Sequence, residues 1–197
     1  MISFVFALAY LLLAYSNQQQ AIALTRQAHP DAIAYHALPM AFSPFHWQLI
    51  AEYPDYYDRA AVNLKPDFPG LTPLFDNAFI TTLLSTRISA PDHIQWQQLP
   101  AMHTVKNVKQ LPGTAFYAWF ARFPVLLSQD KDAIDFGDLA FGGGAPGVHA
   151  PFQLHIALPD GHAASKSRAW LIWRGDRKSE LGLTGTPFHW LSRKNSP

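Results

Sequence analysis

Nine histidines in 197 residues are the first side chains to test for chemistry, because imidazole ligates divalent metals and changes charge near neutral pH. His149 and His155 fall in one stretch of strand-like sequence. Six residues of strand rise place them about 20 Å apart, whereas the ligands of one zinc ion converge on a single point. They share an ion only if the chain folds back between them. His155 and His162 flank the turn signal Pro159-Asp160-Gly161, and a hairpin there brings them together. They are the candidate metal ligands, although no third ligand stands at a defined spacing, and histidines on a solvated polar face are the competing reading. His46, set among charged and aromatic neighbours in SPFHWQLIAEYPDYYDRAAVNL, and Arg122, between an aromatic helix and an apolar strand, are the candidate catalytic residues.

Other motifs fall short of a site. The run DKDAIDFGD holds Asp130, Asp132, Asp135 and Asp138, but a calcium loop needs an acidic or amide residue where Ile134 stands; a solvated hairpin turn is expected. FGGGAPG, residues 141–147, has no following Lys-Ser/Thr pair and reads as a flexible connection. His29-Pro30-Asp31 matches the tripeptide of chaperone J-domains without the basic helix that precedes it there. No nucleophile elbow and no paired carboxylates stand out. The absence of cysteine excludes disulfides, thiol nucleophiles and Cys-type zinc sites. A net charge of +1 favours no strongly charged partner, and nucleic acid is not expected. Lys166, Arg168, Arg174, Arg177, Lys178, Arg193 and Lys194, beside Trp170, Trp173 and Trp190, read as a solvated end.

The elements that must position these residues begin with an uncharged stretch from Met1 to Thr25, apolar from Ile2 to Tyr15 except for Ser3. As a helix that apolar run spans about 21 Å against a hydrocarbon core of about 30 Å. A signal peptide would show a basic n-region, which is missing, and a core helix this uniformly apolar would be unusual. The expectation is a membrane helix over residues 1–28, ended by His29-Pro30.

Beyond residue 35 apolar and polar positions alternate, the pattern of strands with one face on a core. In FHWQLIAEY, Trp47 and Leu49 point one way while His46, Gln48, Ile50 and Glu52 point the other, toward solvent. Pro54 cannot adopt the positive φ of the primed two-residue hairpins. A four-residue loop, Pro54 to Tyr57, built on a type I turn, is therefore expected, pairing Trp47 with Leu64 and Leu49 with Val62. Residues 65–101 read as a long connection. After Leu111-Pro112-Gly113, the spacing of Phe116, Trp119, Phe120 and Phe123 predicts a helix with a buried aromatic stripe, ended by Pro124. PVLLSQ, AIDFGDLAF, PFQLHIAL and SRAWLIW predict further strands. The predicted fold class is α+β: an N-terminal membrane helix, then an antiparallel sheet of about six strands packed with one or two helices. The predicted division is an anchor over 1–28, a β-rich soluble domain over 35–175, and a basic flexible tail over 176–197.

Taken in order, the apolar helix, LPMAFSPFHWQLIAEYPDYYD, FYAWFARFPVLL, IDFGDLAF and PFQLHIALPDG resemble the C-terminal part of the membrane-bound, metal-dependent hydrolases of bacterial inner membranes. The marks of that family are a Pro-x-x-Trp strand, here Pro44 to Trp47; a junction of Trp, Arg, Phe and Pro, here Trp119, Arg122, Phe123 and Pro124; and a strand ending Asp-Leu-x-Phe, here Asp138, Leu139 and Phe141. The resemblance covers roughly residues 1–162. It implies a single-pass protein of the bacterial inner membrane and a divalent metal whose ligands lie in a membrane half that this sequence does not contain. It implies as partners the lipid membrane and a membrane half or partner chain carrying the metal site. The function expected is thus a membrane-anchored C-terminal domain of a metal-dependent hydrolase-like protein without a complete catalytic site; the alternative is a non-enzymatic interaction or regulatory domain at the membrane surface.

Overall fold

A computed structural model describes residues 2–40, 43–64, 88–141, 151–158, 167–174 and 177–181. They form two compact units, Met1–Gln98 and Leu99–Pro197.

The first unit is one helix on one sheet. Helix α1 runs Ile2–Ala28, and strands β1 (Ala34–Pro39), β2 (His46–Glu52), β3 (Tyr56–Asn63) and β4 (Gln97–Pro100), the last of which contains the unit's end at Gln98, lie in the order β1-β2-β3-β4. The first three pair antiparallel. Only the second half of α1 is seated. Ala21 is fully buried and Ile22 and Leu24 are partly buried against Ala37, Trp47, Leu49, Ala60 and Val62, the inward face of the sheet. The glutamine-rich stretch fastens this half by hydrogen bonds: Asn17 Nδ2 donates to the Pro44 carbonyl at 3.0 Å and Gln18 Nε2 to that of Ala37 at 3.3 Å.

The expected single-pass membrane helix is therefore corrected. No helix among the described residues is long and apolar enough to cross a membrane, which removes the support for a transmembrane helix and for a single-pass location in the inner membrane. Helix α1 has 27 residues, but its apolar run stops at Tyr15, and the polar residues beyond it bond to a sheet instead of lying at a lipid interface.

The β2–β3 hairpin is tighter than expected. Trp47 pairs with Val62 and Leu49 with Ala60, two residues short of the predicted register. Tyr53 and Tyr56 stack at 4.4 Å and 16°, and the Tyr53 N–H donates to the Tyr56 carbonyl at 3.0 Å, closing the ladder up to Pro54-Asp55. A slip of two residues keeps every side chain on its face, so the apolar pairing survives. The polar face is not solvated, however. His46 is 8% exposed, Gln48 9% and Arg59 3%, and β2 is buried on both sides. Burial lowers the Arg59 pKa by opposing its charge.

The second unit is a five-stranded meander, β5-β6-β7-β8-β9, built from β5 (Pro124–Gln129), β6 (Ala133–Asp138), β7 (Gln153–Ala157), β8 (Arg168–Arg174) and β9 (Arg177–Leu181). All four pairings are antiparallel. Two antiparallel sheets of four and five strands thus replace the single six-stranded sheet of the predicted fold class. Of the face that alternation assigns to Phe152, Leu154, Ile156 and Leu158, the last three lie in the core, with Leu158 just past the end of β7, whereas Phe152, at φ 64°, precedes the strand and packs against Phe120 and Phe141. β9 lies within the span read as a tail.

Short helix α2 (Thr114–Phe120) and two 3-10 turns, Met102–Thr104 and Val108–Gln110, complete this core. Helix α2 differs from its prediction in which aromatics it buries: Tyr117 is fully buried and Trp119 is 78% exposed. A seven-residue helix has room for about one inward stripe, and Tyr117 takes it because its hydroxyl reaches the Phe152 carbonyl at 2.9 Å.

Candidate functional site

Three histidines are held by carboxylates, each joining elements distant in sequence. In the second unit, Ser128, Asp135, His155 and Trp170 occupy one register row across β5, β6, β7 and β8. Asp135 Oδ1 lies 2.7 Å from His155 Nδ1, and Asp135 Oδ2 accepts the Ser128 hydroxyl at 2.7 Å. A carboxylate at Nδ1 favours the proton there and leaves the Nε2 lone pair facing outward, the arrangement that prepares a histidine as a general base or metal ligand. Trp170 flanks the imidazole at 5.7 Å and carries the Arg168 guanidinium 5.4 Å from its own ring.

His29, the residue after α1, forms a second cluster. Its Nδ1 lies 3.1 Å from the Tyr53 hydroxyl and 3.4 Å from Asp58 Oδ2. An unprotonated Nδ1 accepts from the Tyr53 hydroxyl, while an Nδ1–H donates toward Asp58, so the tautomer of the ring selects between the two partners. Nε2 is buried with no hydrogen-bond partner among the described residues, and the ring meets Trp96 edge to face at 4.2 Å. Desolvation raises the Asp58 pKa and the nearby His29 opposes that rise. The third pair, His36 Nε2 to Glu52 Oε2 at 2.9 Å, bridges β1 and β2 and is half-exposed.

The candidate residues read from the sequence do not assemble into one centre. His46, buried in β2, places Nδ1 2.6 Å from the Ser43 hydroxyl, a local contact that fixes the ring beside the strand start. Arg122 is an exposed residue whose guanidinium lies 5.1 Å over the Phe123 ring. It meets Asp138 through the main chain: the Arg122 N–H donates to that carboxylate at 2.9 Å, as do the Phe123 N–H at 3.0 Å and the Ala140 N–H at 2.9 Å. His155 belongs to the row described above, and His162 and His149 lie outside the described residues. No group of three or more histidine, aspartate or glutamate side chains able to hold a metal occurs among the described residues.

Sequence reasoning missed the roles of Asp135 and His29. Asp135 falls in the predicted strand AIDFGDLAF and stands within β6 on the face opposite Ile134 and Phe136; alternation gives that face but not its pairing with His155 and Ser128. For His29 the sequence offers no signal, since its partners come from β2 and β3.

The other feature that invites function is the tip of α1. Phe4 is 73% exposed, Phe6 72% and Leu11 62%, and Val5, Leu8, Tyr10, Leu12, Leu13 and Tyr15 are exposed as well. The outward residues therefore lie on every side of the helix. Comparison of the chain with protein-family models, with curated proteins and with solved structures gives no match.

Proposed function

We propose that this chain is a non-enzymatic docking module whose α1 tip embeds in the apolar layer at a lipid surface without crossing it. The exposed, uniformly apolar tip carries this reading. A helix that docks on one partner face has an apolar stripe and a polar back; one apolar all round needs apolar surroundings on every side. At about 21 Å the run reaches into a hydrocarbon core of about 30 Å and stops short of the far side. Tyr10 and Tyr15 combine an apolar ring with a hydroxyl that suits an interface. The resemblance to metal-dependent hydrolases fits the same reading: the module supplies attachment, and the metal chemistry of such a protein lies with residues outside the matched motifs.

The test is co-sedimentation of the full chain with phosphatidylethanolamine–phosphatidylglycerol vesicles, beside the triple variant Leu8→Glu, Leu11→Glu, Leu12→Glu. Binding by the parent chain and its loss in the variant are expected. Equal sedimentation of both would sink the proposal, as would a parent chain that ignores vesicles but is captured by the apolar helices of a protein partner.

A further inference from the structure

The second unit contains a groove that the docking reading does not use. It lies between α2 and the two 3-10 turns, with a cavity volume of about 470 Å³, within the size range of small-molecule sites. Its shape follows from residue size. Ala115 and Ala118, three apart on one side of α2, extend only a methyl group each, and Met102, Val108 and Pro124 form the opposing apolar wall. Thr114 contributes a hydroxyl that is already engaged, donating to the Val108 and Leu111 carbonyls at 2.8 Å each. The bond to Val108 also ties the Val108–Gln110 turn to the start of α2.

Lys109 is the charged group at the rim. Lys109 and His103 line the groove and both are exposed, and no carboxylate is among the lining residues. An apolar trough with a cation at its mouth complements a hydrocarbon chain that ends in an anion. A neutral hydrocarbon would gain nothing from Lys109. Nor would the α1 tip of a second copy, because Met1 to Thr25 carries no charged side chain.

We infer that this groove binds an anionic amphiphile, with its acyl chain along Ala115 and Ala118 and its carboxylate or phosphate at Lys109. The inference rests on the groove's own residues and does not require the α1 tip to enter a lipid surface.

Dodecanoate titrated into the full chain and followed by calorimetry tests it. One saturable site is expected, weakened about tenfold or more by Lys109→Glu, an exposed change that reverses the rim charge. Ala118→Phe, also at an exposed position, should fill the trough and abolish the site while leaving the circular-dichroism melt and vesicle binding as in the parent. Dodecyltrimethylammonium should show no saturable binding. Unchanged dodecanoate affinity in both variants would place the bound chain elsewhere and overturn the assignment. So would equal binding of the cationic amphiphile. If the variant Leu8→Glu, Leu11→Glu, Leu12→Glu bound dodecanoate markedly more tightly than the parent, the groove's occupant would be the helix tip of a second copy, which also overturns it. A phosphate source is distinguished from a carboxylate by repeating the titration with dodecyl phosphate.

Discussion

At Asp138, a fully buried carboxylate collects the main-chain N–H groups of Arg122, Phe123 and Ala140. These contacts tie the Arg-Phe-Pro junction to the end of β6: Arg122 and Phe123 supply donors from the junction, and Asp138 is the acceptor. Asp138→Asn keeps one acceptor oxygen and turns an NH2 group toward donors. We expect a loss of about 2–3 kcal/mol, read as a lower urea midpoint; an unchanged midpoint would contradict this role. Asp58 makes a different prediction. Its folded-state pKa is raised above the ordinary 3.8, so the folded state binds this proton more tightly than the unfolded chain. Its contribution to stability is then fully present below the unfolded pKa and is lost as pH rises through the folded one. Asp58→Asn, uncharged at every pH, should flatten the stability profile across that acidic window, measured as melting temperature against pH; a profile parallel to the parent's would refute the assignment. Of these residues the sequence placed Asp138 at the end of a strand but showed nothing of the His29 cluster, because a strand's alternation shows which face a residue takes but not what arrives there from 24 residues away.

Between elements, close approach at a single position decides whether α2 can seat. Gly113 precedes the helix with φ of 76°, and a Cβ there would meet Leu181 Cδ1 at 3.0 Å and Ala169 and Leu154 at 3.3 Å. Left-handed backbone and close packing combine at this position, so Gly113→Ala should cost about 1–3 kcal/mol, measured by denaturant unfolding. Trp119→Ser, on the outward face of the same helix, should shift stability by less than about 0.5 kcal/mol, and a large loss there would show that the exposed indole is structural. The Leu-Pro-Gly break made the start of α2 legible, and the proline after Phe123 bounded its end. Its buried residue was harder to read, because four aromatic side chains offer competing stripes and the choice falls to the hydroxyl of Tyr117 reaching Phe152. The β2–β3 hairpin is similar. Its faces follow from alternation, whereas its register depends on two tyrosines stacking across the turn. Burial on both sides of β2 is invisible in a pattern that alternates as though one side were wet.

At the scale of the molecule, the division into two units falls between Gln98 and Leu99, inside β4, and the glutamines and proline of QWQQLPAM lack the alternation that would announce that strand or the boundary within it. The same scale governs α1. Its root is part of the first unit's core, through Ala21 and the bonds of Asn17 and Gln18, while its tip contributes nothing to either core cluster. A tip with that much exposed apolar surface should drive association of the chain in lipid-free buffer. Leu8→Glu, Leu11→Glu, Leu12→Glu replaces side chains that are 47%, 62% and 61% exposed with a residue of good helix propensity. The variant should therefore sediment as a smaller species in analytical ultracentrifugation, with a melting temperature within a few degrees of the parent's. A drop of about ten degrees or more would mean that these leucines support the fold of the chain itself, since exposed substitutions usually change stability by no more than about 0.5 kcal/mol. Unchanged association would mean that the tip is not the sticky surface, and the docking role would then have to pass to another face of the molecule.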